Sequence, residues 1–125
     1  MKRATKKRWL KDLRSGEYKQ GQSKLKDVDG TYCCLGVLAD GAGRAELEAA
    51  GFVVRTEKDP TLSSALIIDS KEWGTHCRFD LGVHGAEALG ITQDQQEALI
   101  HKNDHEHKDF KQIANWISRN IKPED

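Results

Sequence analysis

The sequence predicts an α+β fold: an N-terminal helix, a small antiparallel sheet in the middle, and two C-terminal helices packed on it. Three observations predict it. Apolar residues recur at steps of three and four near both ends of the chain. Two short β-rich runs with a turn signal between them occupy the middle. Glycines mark the joints. The 125 residues fit a single domain, 1–125. A chain of this size buries roughly two thirds of its unfolded surface. Its hydrophobic content of 37% is below the usual range of roughly 45–50%, which points to a thin core under a large polar surface.

The first helix is read over residues 5–15, TKKRWLKDLRS, where Trp9, Leu10 and Leu13 share a face and Gly16 supplies a stop. Residues 16–30 read as a loop, with a short strand around Ser23–Lys26 and a turn at Asp29-Gly30. Its turns would present Tyr18 and Gln20 to a partner. In TYCCLGVLAD, residues 31–40, Tyr32, Leu35, Leu38 and Ala39 fall on one helical stripe. An alternating strand there would have no polar face, so the segment predicts a short buried helix ending in the glycine-rich DGAGR.

FVVR at 52–55 and SALIID at 64–69 predict strands, with Asp59-Pro60 between them as the turn of a hairpin. THCRFDL at 75–81 predicts a third strand or a structured loop, and glycines 74, 82, 85 and 90 interrupt this stretch of the chain. Thr92 and Gln95 have capping-box spacing, and a helix from Gln93 to about His101 should bury Leu99 and Ile100. KNDHEHKD reads as a polar break. A last helix from about Lys108 to Ile121 carries Phe110, Ile113, Ala114, Ile117 and Ile121 on one dry face.

Twenty basic and twenty acidic residues cancel, which argues against strong nonspecific nucleic-acid binding by the whole molecule. The charge is uneven, however. Residues 2–14 hold Lys2, Arg3, Lys6, Lys7, Arg8, Lys11 and Arg14 against Asp12 alone, either a solvated face or a contact for phosphate or an acidic partner. No apolar run approaches the ~20 residues that cross a bilayer, and the basic N-terminus lacks a signal-peptide core. A cytoplasmic protein with reduced thiols is the expectation.

Cys33 and Cys34 raise the sharpest chemical question. Adjacent residues diverge by about 100° on a helix and point to opposite faces of a strand, a poor start for tetrahedral zinc even with His76 and Cys77 added. A catalytic thiol needs a positioned base, and nothing local places His76 or His84 in that role. Burial as small apolar residues is the favoured reading. His101, His105 and His107 cluster at the polar break and read as surface residues. Asn103-Asp104 has side chains suited to cap the last helix, shape the turn before it, or touch a polar ligand. Phosphate-loop, dinucleotide and nucleophile-elbow motifs are absent, so we expect no cofactor and no metal, and catalysis is the minority view. The last two helices suggest a helix-turn-helix, but Lys108, Lys111, Arg119 and Lys122 are scattered along the final one.

The combination of LRSGEYKQG at 13–21, YCCLGVL at 32–38, and a late Leu99…Asn103-Asp104 with FKQIANWI at 110–117 resembles a group of small, mostly uncharacterised bacteriophage and prophage proteins. The likeness covers both ends of the chain and leaves 41–90 without a motif. Ala39 stands where the related chains often carry a further cysteine, which weakens a metal or redox role. The resemblance implies a non-enzymatic accessory protein that binds a host protein or sequesters a small nucleotide-like ligand. Arg14, Tyr18, Gln20, Asn103 and Asp104 are the candidate ligand-binding residues. A small nucleic-acid-binding regulator, using the basic N-terminal helix or the C-terminal helix pair, is the alternative. A homodimer would give Trp73 and Trp116 cover.

Overall fold

The computed structural model describes residues 1–57 and 65–124. Helix α1, Arg3–Ser15, buries Thr5, Trp9 and Leu13 and ends where Gly16 turns left-handed at φ 80°. Trp9 is fully enclosed, and its indole N–H donates to the Cys34 carbonyl at 3.0 Å. Truncating an aromatic packed this way costs about 3–5 kcal/mol.

Helix α2, Cys34–Asp40, is the buried helix the sequence predicts, and it is enclosed more completely than a stripe implies. Every residue from Cys34 to Ala39 is buried, as expected of a helix that is apolar all round. Cys33 caps it, its Sγ accepting from the Gly36 N–H at 3.4 Å. A Cβ on Gly36 would overlap the backbone carbonyl of Leu25. That glycine lets the preceding loop cross α2 at backbone contact. The loop holds no strand around Ser23–Lys26. It makes one antiparallel bridge, Lys26 to Tyr32, and Ser23 sits at φ 72°, which breaks an extended run.

Two short helices stand where the sequence reading has glycine-rich breaks: α3, Arg44–Ala49, and α4, Gly82–Ala88. Each is too short to display a periodic face. Leu47 is the buried side chain of α3, and in α4 Gly85 and Ala86 are buried. Between them lies a three-stranded antiparallel sheet in the order β1 (Val53–Thr56), β2 (Leu66–Ser70), β3 (Thr75–Cys77). Val54 faces Ile68, which faces Cys77 on the other side. The Asp59-Pro60 turn falls outside the described residues.

Helix α5, Gln93–Asp104, starts with the predicted Thr92–Gln95 capping box and runs one turn past His101. Helix α6, Phe110–Asn120, is capped by Asp109, which forms a second capping box with Gln112. Asn103 and Asp104 therefore do not cap α6. They close α5, and Asn103 is fully buried. The dry face of α6 is as predicted, with Phe110, Ile113, Ala114, Ile117 and Ile121 all buried. It packs on α1, α5 packs on α2, and α3 on β1, around one core cluster shared with the sheet. Among the described residues no helix is long and apolar enough to cross a membrane.

Candidate functional site

Of the five residues read as a ligand site, Gln20, Asn103 and Asp104 are brought together, Tyr18 and Arg14 bond elsewhere, and the polar groups of all five are tied to the chain itself. Gln20 Nε2 donates to Asn103 Oδ1 at 2.9 Å and to the Lys108 carbonyl at 2.7 Å. Asn103 Nδ2 donates to the Gly21 carbonyl at 2.8 Å, and Asp104 Oδ1 accepts from the Ser23 N–H at 2.9 Å. These bonds clasp the 20–23 loop onto the end of α5. Tyr18 turns inward as well. Its hydroxyl donates to Asp40 Oδ2 at 3.0 Å, and its ring meets Tyr32 edge-on at 4.8 Å. Burial, with the Asp40 carboxylate beside it, pushes the Tyr18 phenol well up from its usual range. Close by, burial raises the Asp12 carboxyl. Arg14 stays exposed and donates to Asn115 Oδ1 at 3.1 Å. The loop thus faces its own protein, because buried amide and carbonyl groups need partners.

Both thiols of the Cys33–Cys34 pair are buried, and Cys34 Sγ lies 3.9 Å from the Leu99 carbonyl. Burial pushes Cys33 up to about 12 and Cys34 well above its ordinary value. A neutral, enclosed thiol is a weak nucleophile. Among the described residues no group of three His, Cys, Asp or Glu stands together as a metal site. His101 Nδ1 pairs with Glu106 at 2.8 Å on the surface. On the outer sheet face, Asp69 binds Arg55 and His76, each at 2.6 Å, and Arg78 reaches His76 Nε2 at 3.0 Å. Burial pushes the Asp69 carboxyl up, but the bonds to Arg55 and His76 outweigh it, so it titrates below its ordinary value. This ladder orients an imidazole, but among the described residues no hydroxyl, thiol or amine nucleophile bonds it.

An open concave surface lies where the sequence shows no motif. Trp73, on the turn between β2 and β3, stacks on His84 of α4 with centroids 3.7 Å apart and planes 10° from parallel. Trp73 is still 49% exposed. Together they border a cavity of about 560 Å³ that includes Phe52, Ala88, Glu72 and Glu87. A second hollow of about 450 Å³ continues from it through Ala50 and Ala88 to Ala45, Ala49, Glu46 and Lys2. The result is a shallow trough between α3 and α4, apolar in its floor, with carboxylates along its rim and an aromatic plate at one end. Glu46 is held in place by the Thr5 hydroxyl.

A family model described as a domain of unknown function (DUF8296) matches residues 1–121. The chain belongs to that family. Neither a curated protein nor a solved structure matches it. The DUF8296 match spans every helix and strand described above, so clasp and trough are both parts of this domain. Sequence reasoning located the clasp residues but assigned them outward. It singled out Trp73 as a side chain needing cover and missed that His84 supplies one face of that cover. The one available signal was a large aromatic among charged residues in SKEWGT, just before a glycine turn.

Proposed function

We propose that this DUF8296 domain is a non-enzymatic binding protein of the phage accessory type, and that its ligand is a segment of a host protein held in the α3–α4 trough. The observation that carries the reading is the half-exposed Trp73 plate, fixed on His84 above an apolar floor. A rigid, partly buried indole is the usual anchor of a protein interface. Glu72 and Glu87 on the rim favour a basic segment with interspersed apolar residues, and they repel phosphate. That is why a protein ligand is preferred here to a nucleotide. The clasp supports the same choice, since Tyr18, Gln20, Asn103 and Asp104 are already bonded internally. Reduced cytoplasmic conditions, inferred from the unpaired cysteines, suit such a role.

Fluorescence anisotropy with short labelled peptides tests the proposal, comparing arginine–leucine peptides with glutamate–leucine peptides. The expected result is saturable binding of the basic set, weakened at least about tenfold by Trp73→Ala, roughly 1.4 kcal/mol. Preference for the acidic set contradicts it. So does a thermal shift with nucleotides, where a ligand at a hundredfold its Kd adds about 2.7 kcal/mol.

A further inference from the structure

The charge balance of zero hides a segregated surface. On α1, Thr5, Trp9 and Leu13 point into the core. Arg3, Lys7, Lys11 and Arg14 follow one another at steps of four, four and three, so they line the face opposite that buried stripe. All four are exposed, and the row spans about 16 Å at about 1.5 Å per residue. The Lys7 and Lys11 side chains make no ion pair among the described residues. Arg8, off this row, leans toward Asp12 at 3.8 Å.

The packing of α6 against α1 extends the row into a ridge. Lys6 Nζ donates to the Ser118 carbonyl at 3.1 Å, and Arg14 bonds Asn115. Burial, with Lys122 and Arg3 nearby, lowers the Lys6 ammonium from its usual range, so cations of α1 and of the segment just past α6 crowd one end. The first turn of α1 has no acidic residue and no side-chain cap, although a helix N-terminus favours negative charge. Local stability is forgone there in favour of positive potential, the pattern of a surface shaped for something other than folding.

From this arrangement we infer that the α1–α6 ridge binds the phosphate backbone of a nucleic-acid duplex. Three features select that partner. The exposed row has no apolar or aromatic residue in it, whereas protein interfaces are built around such anchors. Of the apolar side chains of α1, Trp9 and Leu13 are buried and Leu10 packs against the core, leaving only the small Ala4 exposed, too little to insert into a lipid surface. The exposed face of α6 supplies Asn115, bonded to Arg14, an amide of the kind that accompanies Arg and Lys on phosphate and sugar. A single-stranded ligand would call for exposed aromatic platforms, and the surface aromatic of α6, Trp116, is only partly exposed, with Lys102 over its ring. The contact reads charge spacing and not sequence, because α1 presents cations and no amide pair suited to a base edge.

Anisotropy of a labelled DNA duplex of about 24 base pairs, followed from about 50 to 300 mM salt, tests the inference. Four neutralised phosphates at about 0.9 each give a log–log slope of about −3.6. Lys7→Glu with Lys11→Glu should flatten the slope to about −1.8 and weaken binding at least about tenfold at 50 mM salt. Lys71→Glu, on the hairpin turn, should change neither. Trp73→Ala should also leave duplex binding intact, which keeps this result separate from the trough. All these positions are exposed, and unchanged circular dichroism establishes that the variants fold. Absence of duplex binding at 50 mM salt overturns the inference, as does indifference to the double reversal. Comparable binding to phosphatidylserine vesicles would assign the ridge to membranes instead and overturn it too.

Discussion

The clasp and the trough are built on opposite principles. Around Gly16–Leu38 and Leu99–Asp109 almost every distinctive side chain has a partner inside the molecule: Tyr18 on Asp40, Gln20 on Asn103, Cys33 on Gly36, Asp104 on Ser23. Around α3, the β2–β3 turn and α4, few residues stand out in the sequence, yet Trp73 remains about half exposed over a concave floor, and Val53 and Val83 are left exposed on the surface as well. The contrast teaches that a conspicuous motif in a small domain can mark where the chain binds itself. Recognition is then left to the plainer segment.

The largest effect should come from the closest backbone approach in the clasp. Gly36→Ala pushes a methyl into the Leu25 carbonyl, and we expect a loss of about 3 kcal/mol, roughly 12 °C in Tm at about 4 °C per kcal/mol. A wild-type melt would show that the loop can lift away from α2, and the clasp would lose its rigidity in this account. Next in size is Asn103→Ala. It strands the Gly21 carbonyl and removes a partner of Gln20, a cost of about 2–3 kcal/mol in chemical denaturation. Peptide binding at the trough should survive it.

A pH series sharpens the same comparison. Burial holds both thiols protonated in the folded state, against an ordinary thiol value of 9.0. Above that value the unfolded chain has released protons that the folded chain retains. The stability is therefore fully present at pH 8 and falls as pH rises toward the folded value. Each thiol contributes a slope of about 1.4 kcal/mol per pH unit once past 9. Cys34→Ala should reduce that slope by one thiol's share, measured by urea unfolding between pH 8 and 10.5. The smallest effect on stability belongs to the trough. Trp73→Ala should shift unfolding by less than about 1 kcal/mol while weakening peptide binding at least about tenfold, the reverse of Asn103→Ala.

Legibility in the sequence followed length and amphipathicity. Helix α6 could be read because eleven residues display a full dry face, and α1 because Trp9 and Leu13 precede a glycine that turns left-handed. Helix α2 was readable as a short buried helix from the Leu35, Leu38 and Ala39 stripe, but its burial on every side was not, because a helix apolar all round shows no wet face. Helices α3 and α4, six and seven residues long, bury one leucine in α3 and a glycine–alanine pair in α4, too little to give a pattern to detect. The end of α5 was misplaced because Asn103 and Asp104 look like breakers, and nothing local reveals that a loop some eighty residues earlier receives them. The Trp73–His84 stack depends on bringing a hairpin turn against a later helix, a tertiary juxtaposition outside the reach of spacing arguments.

Amide chemical-shift mapping tests the division most directly. On titration with an arginine–leucine peptide, the account predicts saturable shifts at Trp73, His84 and Ala88, with Tyr18, Gln20 and Asn103 unmoved. Shifts centred on Tyr18, Gln20 and Asn103, with Trp73 silent, would contradict it and return recognition to the motif-bearing loop.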